Sequence, residues 1–284
     1  MTELELEPLA EGGFGLCEAP RIAADGTVWF ADVTEGGIFR VDPGATAITC
    51  VLERRRWVGG LVPHERGGVV ATGRDLVRVH PDGRTESVFT AADDSGIVAF
   101  NDCTVDAHGR VLAGALRFNP TRGEAPQPGR VLVVAAGWVA VAVDEGVDWP
   151  NGIGLSPDRR RAYLSDYAHG RVLVCDVDRD GALARTARPW AQLGEGESAD
   201  GLAVDAEGGV WVATGQGGGL VRLDPQSAAV SARVDGLAPF VSSLAFGGAD
   251  GRDVVVTTAG GPRGGSVLRG RTPVAGLPVR SAVI

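Results

Sequence analysis

Short apolar runs recur along this chain at strand length and never at helical spacing. TVWFAD (27–32), VLAGA (111–115), VWVAT (210–214) and VVVTT (254–258) are rich in β-branched and aromatic residues and are bounded by glycine or Asp-Gly turns, the signature of strands joined by tight hairpins. Each run follows a segment of one common design: EAPRIAAD (18–25), GGLVPHER (59–66), NDCTVDAH (101–108), NGIGLSPD (151–158), DGLAVDAE (200–207) and SLAFGGAD (243–250). A third strand comes next, as in GIFRVD (37–42), RVLVCDV (171–177) and LVRLD (220–224), and then an outer one, as in ESVF (86–89) and WVAVAV (138–143). The residues ending the second strands, Asp32, Gly73, Ala115, Asp166, Thr214 and Thr258, are 41, 42, 51, 48 and 44 residues apart. Periods of this size with several strands per unit predict an all-β, six-bladed β-propeller with about four antiparallel strands per blade. No linker or composition break interrupts it, so residues 1–284 read as one propeller domain. The N-terminal LELEPL (4–9) and C-terminal LPVRSAVI (277–284) are expected to pair and close the ring.

The first residues of the six segments are Glu18, Gly59, Asn101, Asn151, Asp200 and Ser243. In a propeller the first strand of each blade lines the axis, so these positions form a ring at one mouth of the channel. Glu18, Asn151 and Asp200 share one register relative to the following turn, and their oxygens can converge on a hard divalent cation: Ca²⁺, Mg²⁺, Mn²⁺ or Zn²⁺. Three protein ligands would leave room for water and substrate, and Asp200 could be both ligand and proton acceptor. A plainer reading stands beside this one, because Asn151-Gly152 and Asp200-Gly201 are also ordinary turn dipeptides. Glu18, followed by Ala19-Pro20, has no such alternative.

Composition narrows the chemistry. The 284 residues carry a net charge of −9, which speaks against nucleic acid and anionic membranes as partners and leaves a small molecule as the expected one. All 27 basic residues are arginine, so Schiff-base chemistry and a P-loop lysine are excluded. GQGGG (215–219) leads straight into another strand and reads as a hairpin turn, not a dinucleotide loop. His64, His80, His108 and His169 fall in or beside turns, none at a ring position, which disfavours a His-based metal site or a Ser-His-Asp triad. Cys17, Cys50, Cys103 and Cys175 are scattered and read as reduced thiols; Cys17 and Cys103 adjoin ring positions. The acidic N-terminal segment lacks the features of a secretory signal and no membrane-length apolar run is present, so a cytoplasmic location is expected. The charges of Arg54, Arg55 and Arg56 read as solvated.

Several motifs together resemble the SMP-30/gluconolactonase/LRE family: E-A-P at 18–20, F-N-D at 100–102, P-N-G-I-G-L-S-P-D at 150–158, Y-L-S-D at 163–166, D-G-L-A-V-D at 200–205, V-W-V-A at 210–213 and A-F-G-G at 245–248. The resemblance runs along nearly the whole chain. It implies one axial divalent cation held by Glu18, Asn151 and Asp200, substrate binding by Asn101, and Asp200 as the base. The implied reaction is hydrolysis of a lactone, often a sugar lactone, by an activated water. One departure matters: the family's sugar lactonases commonly read R-F-N-D, whereas Ala99 stands here before Phe100-Asn101-Asp102, which removes a donor for a sugar hydroxyl. Trp57, Trp149, Phe118 and Phe240 could make the pocket more apolar, although ordinary packing between blades is the plainer reading of each, and Cys17 beside Glu18 is a further candidate influence on it. The insertion RFNPTRGEAPQPG (117–129) reads as a variable surface loop, with a lid over the mouth as the alternative. Two other functions fit the same scaffold: a metal-dependent lyase, isomerase or cyclase, and a non-catalytic binding propeller.

Overall fold

The computed structural model describes residues 4–260 and 264–284. Its 24 strands make six four-stranded antiparallel sheets arranged as the blades of a propeller, as the sequence pattern predicts. Strand β1 (Leu6–Phe14) precedes blade one, which comprises β2 (Cys17–Ile22), β3 (Val28–Asp32), β4 (Gly37–Val41) and β5 (Ile48–Glu53). Blade two holds β6 (Leu61–Pro63), β7 (Val69–Ala71), β8 (Asp75–Val79) and β9 (Thr85–Thr90), and blade three β10 (Ala99–Val105), β11 (Val111–Leu116), β12 (Arg130–Ala135) and β13 (Trp138–Val143). Blade four follows with β14 (Pro150–Leu155), β15 (Arg161–Asp166), β16 (Arg171–Asp176) and β17 (Arg188–Gln192). Blade five has β18 (Leu202–Val204), β19 (Val210–Ala213), β20 (Leu220–Leu223) and β21 (Val230–Val234); blade six has β22 (Phe240–Gly247), β23 (Asp253–Ala259) and β24 (Gly265–Arg271) and takes β1 as its outer strand.

Ring closure therefore differs in detail from the sequence-based expectation. The N-terminal strand does close the ring, but its partner is β24, with Leu6 opposite Gly270 and Glu7 opposite Arg269. The last blade lacks an outer strand of its own, and the chain start supplies it. The C-terminal residues instead cross the opposite end of the inner strands. Leu277 N–H donates to Val204 O, Ala282 N–H to Pro63 O and Val283 N–H to Gly109 O. Among the described residues, no helix is long and apolar enough to cross a membrane.

A single turn explains the repeat. Five residues after each ring position, a carbonyl accepts an N–H from three residues further on: Ala23, His64, Asp106, Ser156, Asp205 and Gly248 accept from Gly26, Gly67, Gly109, Arg159, Gly208 and Gly251. Each donor has a left-handed backbone, which only glycine adopts without steric cost; Arg159 (φ 56°) is the exception. All six inner strands thus enter the axis in the same register, including the three whose first residues are Glu18, Asn151 and Asp200.

Between blades the sheets bury their apolar faces against each other. Trp29 and Ile38 of blade one meet Leu61 and Val69 of blade two, and Leu112 and Val131 of blade three meet Leu164 and Leu173 of blade four. Arg55, read from sequence as solvated, instead clips blade one to blade two: its guanidinium donates to Thr72 O (3.2 Å), Asp75 O (3.0 Å) and Asp75 Oδ1 (2.8 Å). Fully buried Asp205 fastens the blade-five turn. Its Oδ1 accepts from the N–H groups of Glu207 and Gly209, and its Oδ2 from Trp211 Nε1 (2.9 Å) and Arg222 Nε (2.7 Å). Replacing Asp205 with alanine removes the partner of the buried Trp211 indole, the anchor of the turn N–H groups and the shortest ion pair of Arg222. The expected cost is about 3–5 kcal/mol, read as a lower midpoint in urea unfolding.

Candidate functional site

The inner strands change direction where they reach the mouth of the channel. Ladder register breaks between Glu18 and Arg21 in β2, between Phe100 and Cys103 in β10, and between Pro150 and Ile153 in β14. Bulges of this kind re-aim a side chain out of the alternating pattern. In β2 the bulge includes Ala19 at φ 53°, whose N–H returns to Glu18 Oε2 at 2.6 Å and holds that carboxylate. Asn151-Gly152 and Asp200-Gly201 are not turns. Gly152 N–H donates to Asp200 O (3.2 Å) and Gly201 N–H to Ser242 O (2.8 Å), so neighbouring inner strands touch backbone to backbone. A Cβ at Gly152 would lie 2.3 Å from Leu202 N, and one at Gly201 would lie 2.1 Å from Ser243 Oγ. Glycine is required there by close approach, not by turn geometry.

Glu18, Asn101, Asn151 and Asp200 line one cavity of about 260 Å³ at this mouth. Gly59 also lines it, and a Cβ there would fall 2.2 Å from Asn101 Oδ1. The sixth ring position, Ser243, is buried and does not line the cavity. Asn151 Nδ2 donates to Asp200 Oδ1, and Asn101 Nδ2 donates to Pro150 O at 3.1 Å. Among the described residues, no donor meets the side-chain oxygen of Asn151, and no group of three or more His, Cys, Asp and Glu side chains converges as a metal cluster. The donors gathered here are two carboxylates and side-chain amides.

A second pair of charges lies beside them. Buried Asp102 accepts from Arg21 (2.9 Å) and from the Cys103 N–H (2.7 Å), while Arg21 also donates to Cys103 O and Pro20 O. The sequence reading overlooked this pair, although an Arg three residues after Glu18 and an Asp next to Asn101, both on inner strands, had to find partners. Three buried carboxylates therefore share the axis with one guanidinium, leaving two negative charges uncompensated when all are ionised. The proton affinities follow. Burial, then the Asp102 charge, pushes the Glu18 carboxyl up to about 8. Burial, then Glu18 and Asp102, raises Asp200 well above the usual carboxylate range against the hydrogen bonds from Asn151 and Gly201. Burial also raises Asp102, with Arg21 opposing.

The surrounding candidates sort clearly. Trp57, Trp149 and Phe240 line the cavity rather than serving only as packing between blades, and Tyr167, Leu16 and Val33 join them. Phe118 does not; it is fully buried behind Trp149, edge-on at 4.9 Å. Cys17 and Cys103 are buried away from the cavity, and burial pushes both thiols far above the range of a nucleophile. No histidine lines the cavity: His64 meets Ile284 O, His80 meets Glu86 and His169 meets Asp148. Of the 117–129 insertion, Pro120 and Thr121 border the mouth, while residues 121–128 are exposed.

A family profile described as SMP-30/gluconolactonase/LRE-like region matches residues 16–260, and the chain belongs to that family. A regucalcin of Xenopus laevis is 28% identical over 265 residues, covering 91% of this chain and 88% of its own. A pentonolactonase of Haloferax volcanii is 28% identical over 244 residues, covering 86% and 81%. The crystal structure of a calcium-binding protein, regucalcin, from Agrobacterium tumefaciens superposes with a TM-score of 0.86 at 22% identity, covering 99% of this chain and 98% of that one, which establishes the shared fold.

The raised carboxyls give the cation-free protein a pH signature. Glu18 binds its proton more tightly folded (about 8) than at its ordinary 4.5. The folded state thus holds extra protons between those values, and stability falls as pH rises through that window. Thermal midpoints measured in EDTA should decline from pH 5 to pH 8, and Glu18→Gln should flatten the decline. A midpoint that rises over that range would contradict this charge assignment.

Proposed function

We propose that the protein is a divalent-metal-dependent hydrolase that opens a lactone or related cyclic ester. The observation that carries this reading is the pair of buried carboxyls, Glu18 and Asp200, gathered without a compensating cation at the floor of a cavity of small-molecule size. Glu18, Asn151 and Asp200 would hold the ion, and their oxygen donors suit Ca²⁺, Mg²⁺, Mn²⁺ or Zn²⁺ without selecting among them. The donor set fits such an ion: its carboxylates repel one another without one, and the Asn151 oxygen has no protein donor. Membership of a family whose relatives include a named pentonolactonase, and likeness to a regucalcin described as a calcium-binding protein, support both parts of the reading.

When bound, the cation supplies Lewis acidity for the lactone carbonyl and for a water molecule. Asp200, deprotonated once the local charge is balanced, takes a proton from the attacking water. The water oxygen bonds to the acyl carbon, and the bond from that carbon to the ring oxygen breaks. The ring oxygen leaves as an alkoxide and receives the proton held by Asp200, so the product is a hydroxy acid. Asn101, two blades from Asp200 in ring order, binds and orients the substrate. The aromatic rim keeps bulk water from the acyl carbon.

Hydrolysis of a lactone panel, followed as acid release, tests the reading. EDTA should abolish turnover and added Ca²⁺ or Mn²⁺ should restore it. Asp200→Asn should lower kcat by about 100-fold or more. Turnover that survives both EDTA and Asp200→Asn would overturn the assignment.

A further inference from the structure

The cavity's walls differ sharply from its floor. Polar groups able to meet a ligand are confined to the floor, at Glu18, Asn101, Asn151 and Asp200. Above them stand Trp57, Trp149, Tyr167 and Phe240, each half-buried with part of its surface open, together with Leu16 and Val33. The aromatic walls are braced from behind. Arg74 sits 5.6 Å from the Trp57 ring centre. Trp149 is wedged between Phe118 at 4.9 Å and Tyr167 at 4.6 Å. Such rigid, partly exposed aromatic surface gains free energy only when an apolar group covers it.

The few hydroxyls on the walls are already engaged. Thr34 Oγ1 accepts from the Leu16 N–H (3.1 Å) and meets Asp32 Oδ1 (3.2 Å). Thr121 Oγ1 donates to Asn119 Oδ1 (2.8 Å), and Tyr167 OH pairs with the Gln216 side chain (3.1 Å). Among the described residues, no Arg, Lys or His lines the cavity, and the wall above Asn101 is the buried methyl of Ala99. A polyhydroxylated ring would lose water from the hydroxyls that face these walls and find few partners there, and every such loss costs affinity.

We infer that the substrate is a lactone bearing an aryl or alkyl substituent, seated against Trp57, Trp149 and Phe240 with its ester over the polar floor. This rests on the lactone-opening reading above and adds the substrate class to it. The small cavity sets the size: a five- or six-membered ring with one aryl or short alkyl group.

Two measurements on the Ca²⁺-loaded protein test the inference. First, kcat/KM for γ-phenyl-γ-butyrolactone should exceed that for D-glucono-1,5-lactone by about tenfold or more after subtraction of the uncatalysed rates. Second, 5-phenyl-2-pyrrolidinone, a lactam that resists opening, should bind at least about tenfold tighter than unsubstituted 2-pyrrolidinone when followed by tryptophan fluorescence. Trp57→Ala should remove that preference. Phe240→Ala, nearer the rim, serves the same purpose should the first variant fail to fold. If no lactone is opened yet the phenyl lactam is preferred, the hydrolase reading falls and the apolar ligand class stands. If the gluconolactone is opened as well as the phenyl lactone and the lactams bind alike, the inference is overturned while lactone opening survives.

Discussion

Buried charge is the constraint around which the axis is built. Glu18, Asp102 and Asp200 all lie within the interior, where an ionised carboxylate without a partner costs several kcal/mol. Arg21 compensates one of them at 2.9 Å. The upward shifts of Glu18 and Asp200 favour the protonated forms of the remaining two, and the divalent ion proposed above would balance them once ionised. The blades can tolerate the arrangement because their stability comes from elsewhere: the apolar faces packed between neighbouring sheets, and a ring closed by β1 on β24.

The same constraint explains local features that look unrelated. Bulges in β2, β10 and β14 turn polar side chains toward the axis at one end only. Gly152 lets the inner strands of blades four and five approach closely enough for Asn151 and Asp200 to hydrogen-bond across them, and Gly201 brings blade five equally close to blade six. Asn151 then occupies its amide nitrogen on Asp200, and among the described residues its oxygen faces no protein donor. A site assembled from three different blades depends on the rigidity of the whole ring, because no single sheet holds more than one of its donors.

Much of this was legible in the residues. The period of roughly 40–50, the strand-length runs and the Gly turns specified six blades, since the turn chemistry is local and repeats in register from Gly26 to Gly251. The common cavity of Glu18, Asn101, Asn151 and Asp200 followed from the same register. What escaped was non-local. Pairing of β1 with β24 depends on which edge is left open after blade six, and no local pattern encodes that. Phe118 and Trp149 are both aromatic and pack against each other, yet Trp149 faces the cavity and Phe118 lies behind it, a distinction set by the path of the chain after β11. The Arg21–Asp102 pair joins residues 81 positions apart. Arg55 looked solvated because it sits in a run of three arginines, but only the structure reveals Asp75 and Thr72 waiting on the next blade.

Calorimetric titration of the chelator-treated protein with Ca²⁺ at pH 6.5, repeated in buffers of different ionisation enthalpy, addresses the charge balance most directly. Binding of one ion should release at least about one proton, because Glu18, pushed up to about 8, must ionise to accept it, and the upward shift of Asp200 adds to the release. Absence of binding by Ca²⁺, Mg²⁺, Mn²⁺ and Zn²⁺ alike, or binding with no proton release, would contradict the account.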